Sequence, residues 1–180
     1  MAQANFRRAQ AQLLRTPSRT EEATLEYETV VALDPNRVAA YAHIGQCKLY
    51  TGSIEEVIPL TERAIRLSPR DPGFGLFYSR IGRVHLLQSR TDEAIVWLEK
   101  ARNHSPAHAQ WRTFLASAYA LNGQTERAAA ELAEVRKLGD DRFSSIAHLR
   151  AVSYWGVPKI RALSEATYLI GLRLAGMPEE

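Results

Sequence analysis

Cys47 is the only cysteine in this 180-residue chain. One thiol cannot close an internal disulfide. A disulfide-stapled scaffold is therefore excluded, and a reducing, cytoplasmic setting is the simplest expectation. Cys47 sits in the apolar middle of a predicted helix, where a small core residue is the plain reading. Long apolar runs are also missing: no stretch approaches the ~18 residues of a membrane span. Arg7 and Arg8 have no apolar segment behind them, so no secretory signal is read at the N-terminus. Alternating runs bounded by Asn-Gly or Asp-Gly turns are absent, which argues against strands. The charge excess is small, +3 with a pI near 9.2. The arginines are spread out, with no aromatic–basic stripe, which disfavours nucleic acid as a partner.

Catalytic and ligand-holding patterns are equally scarce. Gly73-Phe74-Gly75 is too short for a phosphate loop, and Pro72 before it argues for a turn. No Gly-x-Ser-x-Gly elbow occurs. His104 and His108 have the spacing of two metal ligands on one helix face, but Ser105-Pro106 between them breaks that face and no third ligand completes a site. Glu21-Glu22 and Glu55-Glu56 stand at helix starts, where carboxylates favour the helix dipole. No catalytic residue, metal or cofactor is predicted, and the chain reads as a non-enzyme.

What the chain does have is helical periodicity that repeats. From Tyr41 to Pro69 an aromatic, an apolar residue and a glycine (Tyr41, Ile44, Gly45) precede a turn at Thr51-Gly52-Ser53. Val57, Thr61 and Ala64 follow, and Pro69 closes the unit. Pro35 and Pro69 are 34 residues apart, as are Gly82 and Ala116. Gly45 and Gly82 are 37 apart, which places three extra residues near Asp71–Gly75. Within each unit the first marker and a residue of the second helix stand sixteen apart: Arg7 and Ala23, Tyr41 and Val57, Tyr78 and Ala94, Arg112 and Ala128. Two helices approach closely only where a small side chain faces a large one. Gly45, Gly82 and Ala116 supply that face in the first helices, and Ala23, Ala94 and Ala128 in the second.

These markers predict a single domain with units at about 4–35, 38–69, 72–106 and 107–140, followed by C-terminal capping helices over 143–175. Local features are predicted too: a break at Thr16-Pro17-Ser18, an N-cap at Thr20 and a Ser53–Glu56 capping box. Pro59 predicts a kink or a 3₁₀ distortion in the fourth helix.

The template resembles the tetratricopeptide repeat (TPR) family over about residues 5 to 140. Lys48 and His85 stand where an aromatic is usual, Val57 replaces alanine and Thr61 a large apolar residue. The resemblance implies an all-α, right-handed superhelix of antiparallel helix pairs, an α-α solenoid. It also implies a concave groove lined by the first helix of each pair. Aligned in this way, the candidate groove residues are Asn5, Arg8 and Gln12, then His43, Gln46 and Tyr50, then Ser79, Arg80, Arg83 and Leu87, then Gln110, Thr113 and Ser117, with His43 and Arg80 at the edge. Such a lining suits a protein or an extended peptide of some acidic character. The tail, with Phe143–Arg150 and Tyr168–Glu179, is similar to the C-terminal repeat module of rhizobial-type adenylate/guanylate cyclase-like multidomain proteins. That similarity implies an alternative role as a regulatory or dimerisation module of a larger bacterial signalling protein, contacting an upstream domain or a second copy.

Overall fold

A computed structural model describes residues 2–13, 19–70, 72–153 and 155–180. Among these residues every regular element is a helix. The break expected at Thr16-Pro17-Ser18 lies outside them. Two compact units are present: residues 1–73 with 156–160, and residues 74–155 with 161–180.

The first unit contains α1 (Ala2–Leu13), α2 (Thr20–Leu33), α3 (Val38–Thr51) and α4 (Ile54–Leu67). Each packs on its neighbour in sequence. Ala11, Ala23, Tyr27, Val30, Ala40, Ile44 and Cys47 form the core, so the lone cysteine is buried in packing. Val57, Thr61 and Ala64 are fully buried on α4. Thr61 is tolerated there because its hydroxyl donates to the Val57 carbonyl at 2.8 Å. Lys48 lies 3.1 Å from Glu56 and 3.8 Å from Glu28, so an ion pair stands where an aromatic was expected.

Three local expectations are corrected. Ser53 makes no side-chain cap, and the Glu56 carboxylate turns to Lys48, so neither half of the capping box forms. Thr20 lies inside α2 and is buried; Arg19 is the capping position. Pro59 leaves α4 an uninterrupted α-helix. The carbonyl it frees belongs to Glu55, on the exposed side where water can take it.

The second unit contains α5 (Phe74–Leu87), α6 (Thr91–His104), α7 (Ala109–Leu121) and α8 (Thr125–Leu138). Gly82 carries the close approach of α5 and α6. A Cβ there would come within 2.6 Å of Leu98 Cγ and 3.2 Å of its backbone nitrogen. Gly139 ends α8 in the left-handed conformation, φ 65°.

The tail differs from the expected helix pair in its bounds. A 3₁₀ turn (Asp141–Phe143) precedes α9 (Ile146–Val152), which starts late because the Ser145 hydroxyl accepts from the His148 amide and caps it. The last helix comprises α10 (Pro158–Ser164), a π turn (Glu165–Leu169) and α11 (Ile170–Leu174). Phe143, Ile146, Leu149, Tyr168, Leu169 and Leu172 join Leu115, Tyr119 and Leu132 in one core. Burying each large apolar side chain is worth roughly 1.5–3 kcal/mol, so the tail is held to the repeats by a shared core.

Candidate partner-binding face

The candidate groove residues sit on the first helix of each pair, and the two units treat them differently. In the first unit Asn5 is exposed and Arg8 half-buried on α1. On α3, His43, Gln46 and Tyr50 are half-buried along one face, at spacings of three and four. His43 is held flat against Tyr27, with ring centroids 4.9 Å apart. The Gln12 side chain lies outside what is described. Arg7, beside this face, pairs with Glu26 at 3.2 Å.

In the second unit most candidates are covered. Ser79, Arg80 and Leu87 are buried, and Thr113 and Ser117 have no exposed surface. Arg80 is therefore an interior residue of α5 and not an edge one. Arg83 is half-buried with its guanidinium 5.5 Å over the Phe114 ring, and Gln110 is half-buried. The chain's own last helix does the covering. Thr113 spends its proton on the Gln110 carbonyl at 2.7 Å, so the Tyr168 hydroxyl, also at 2.7 Å, donates to it. Ser117 donates to the Tyr168 carbonyl at 2.9 Å. The wider π turn leaves that carbonyl open to a side-chain donor. Gly171 lies so close to α7 that a Cβ would stand 2.2 Å from Ser117 Oγ and 2.5 Å from its carbonyl oxygen. Burial pushes the Tyr168 phenol far above its usual range, so it acts as a neutral donor.

Sequence reasoning missed two charged clusters of this unit. Glu131, buried on α8, receives Arg102 and Arg112, each at 2.5 Å. Tyr119 donates to Glu99 at 2.5 Å, and Arg127 lies 2.6 Å from the same carboxylate. Burial alone would raise the Glu99 carboxyl. The bonds from Tyr119 and Arg127 outweigh it and hold Glu99 below the ordinary carboxylate range. The sixteen-residue register had placed Arg112 at a packing position without revealing its partner.

His104 and His108 do not form a ligand pair. His108 stacks on Trp111 with centroids 3.9 Å apart, and burial lowers its pKa. Among the described residues no three His, Cys, Asp or Glu side chains converge as a metal site would require. No described helix is long and apolar enough to cross a membrane.

Residues 85–152 match the family model described as tetratricopeptide repeat. Solved structures extend the likeness across the chain. A MamA fragment from Desulfovibrio magneticus RS-1 has a TM-score of 0.69 at 18% identity, over 96% of this chain and 94% of that one. The chain folds as a TPR-like solenoid. The structure of YrrB, described as a TPR protein with an unusual peptide-binding site, gives a TM-score of 0.61 at 18% identity, over 93% of this chain and 84% of its own. At such identities the likeness concerns the fold. A curated relative, Hsp70-Hsp90 organizing protein 3 of Arabidopsis thaliana, is 28% identical over 90 residues, half of this chain. The TPR-like chain matches 16% of that relative's length.

Proposed function

We propose that this TPR-like chain is a protein-interaction scaffold that holds a peptide or protein segment on the first-helix face of its first unit. One observation carries the reading. The corresponding face of the second unit already grips a helix, the chain's own, through Thr113 and Ser117. In the first unit Asn5, Arg8, His43, Gln46 and Tyr50 offer donors, one cation and aromatic surface at the equivalent positions. That set suits a segment with backbone carbonyls to satisfy and acidic side chains. The peptide-binding description of YrrB is consistent with this use of the fold.

Selection of phage-displayed random peptides on the full chain tests the proposal. Peptides enriched in Asp and Glu should bind in the micromolar range. The combined Arg8→Ala, Gln46→Ala and Tyr50→Ala variant should lose them at least about tenfold, a loss of 1.4 kcal/mol, with unchanged circular dichroism. Peptides that bind the variant equally well would overturn the assignment. The second reading, a regulatory or dimerisation module of a larger signalling protein, is favoured by the exposed apolar side chains Ile170 and Leu174 on the tail helix.

A further inference from the structure

The tail helix buries one face and leaves another uncovered. Ala162, Ala166, Ile170 and Leu174 recur every fourth residue from α10 to α11, and all four are exposed, Ile170 at 42% and Leu174 at 57%. In a plain α-helix each step of four overshoots a full turn by about 40°, which over three steps would set the first and last of these residues about 120° apart. The π turn at Glu165–Leu169 interrupts the run and takes more residues per revolution, so it turns that drift back. The four side chains make one apolar stripe. Ion pairs rim it, Arg150 with Glu165 at 2.6 Å and Arg173 with Glu179 at 2.5 Å. An apolar centre with a polar rim is the make-up of an association surface.

The stripe is graded in size. Its N-terminal half is two alanines, and its C-terminal half is isoleucine and leucine. Laid antiparallel on a second copy, each Ile170 and Leu174 meets the other copy's small residues, Ala166 and Ala162. Large thus faces small twice over, as a two-fold contact requires. Charge selects the same direction. Arg161 is exposed at the small end, and Glu180 is exposed at the large end beyond the Arg173–Glu179 pair. Antiparallel pairing brings these opposite charges together, whereas parallel pairing would set like beside like.

We propose that residues 161–175 form a two-fold dimerisation stripe, with a second copy of this chain as the occupant. The contact is one helix wide and falls below the ~1,200 Å² of standard interfaces, so the dimer is weak and concentration-dependent. The inference does not depend on the peptide-binding face of the first unit, and its test involves no peptide.

Sedimentation velocity of the full chain from about 10 µM to about 1 mM, the range of a weak contact, should show a shift from monomer to dimer. Ile170→Lys and Leu174→Lys, both at exposed sites, should each weaken dimerisation at least about tenfold with circular dichroism unchanged. Arg161→Glu should weaken it about threefold or more, and adding Glu180→Arg should restore it, because the pair would be rebuilt with reversed sign. A monomer throughout the range would overturn the proposal. So would a dimer that Leu174→Lys leaves intact. Failure of the charge exchange to restore association would overturn the antiparallel arrangement.

Discussion

Arg112 reaches back six residues to donate from Nε to the Pro106 carbonyl at 2.7 Å, as Tyr41 does from its hydroxyl to Pro35 at 3.2 Å. The two residues hold the same place in the second and fourth templates. A phenol and a guanidinium thus close the same turn by the same bond. Arg112 does more, since its Nη1 also lies 2.5 Å from the buried Glu131 carboxylate.

This difference sets the cost of losing each. Arg112→Ala leaves Glu131 with Arg102 as its remaining guanidinium partner. Breaking a buried pair costs roughly 3–5 kcal/mol, and the surviving Arg102 bond should reduce that to about 2–3 kcal/mol. Tyr41→Phe removes one partly buried hydrogen bond, worth about 0.5–1.5 kcal/mol. Urea unfolding of both variants checks the order; equal losses would show that Glu131 does not depend on Arg112.

Gly171→Ala should destabilise the second unit by about 1–3 kcal/mol, the range for overpacking a tight contact. The new methyl would meet the Ser117 backbone as well as its hydroxyl, and the backbone cannot step aside. Gly123→Ala is the control: nothing lies within 4 Å of its Cβ position, and the cost there is only that of a positive φ. Thermal unfolding should place Gly171→Ala well below Gly123→Ala.

Tyr119 makes stability sensitive to alkali. Burial first, then its bond to Glu99, raises the phenol from 10.0 to about 12. A folded pKa above the unfolded one stabilises fully below about pH 10 and is lost as pH rises through 12. The rise is worth at most about 2–3 kcal/mol, reduced where solvent screens the exposed Arg127 and the half-buried Glu99 beside it. Wild type should lose up to that much more stability than Tyr119→Phe between pH 9 and pH 12 in chemical denaturation. Parallel profiles would refute the assignment.

Ser164 offers a gain. Its hydroxyl is buried on α10 with no hydrogen-bond partner among the described residues. Leaving such a group unsatisfied costs about 1–3 kcal/mol. Ser164→Ala removes it with almost no loss of volume and should raise the unfolding midpoint by about 1 kcal/mol of stability. A lower midpoint would mean that the hydroxyl is satisfied after all.

The repeat register was legible because it is written in residue size. Helices approach closely only where small residues such as Gly82, Ala94, Ala116 and Ala128 stand, and their intervals carry through to the buried contacts. End signals carried less. Ser53 and Glu56 match a capping box by spacing, yet Lys48, five residues before Ser53, takes the glutamate. Spacing records which side chains could meet, while the competing charge arrives from another helix. The covered positions Thr113 and Ser117 were hidden for a related reason. Periodicity showed that Lys159 to Ala175 is helical, but the face it presents to α7 depends on a π turn and on Gly171, and neither has a sequence signature.

Gly156, with φ 81°, lies so near the end of α3 that a Cβ would touch the Tyr50 carbonyl oxygen at 2.7 Å. Next to it the Val157 amide donates to that carbonyl, and Lys159 donates to the Gly52 carbonyl, 107 residues away in sequence. The first unit is therefore not finished when its own repeats have been made. During synthesis α3 leaves the ribosome with these carbonyls bare, and their donors arrive only after more than half the chain has followed. Long-range closures of this kind slow folding. The end of α3 should be the last part of the first unit to gain protection from hydrogen exchange.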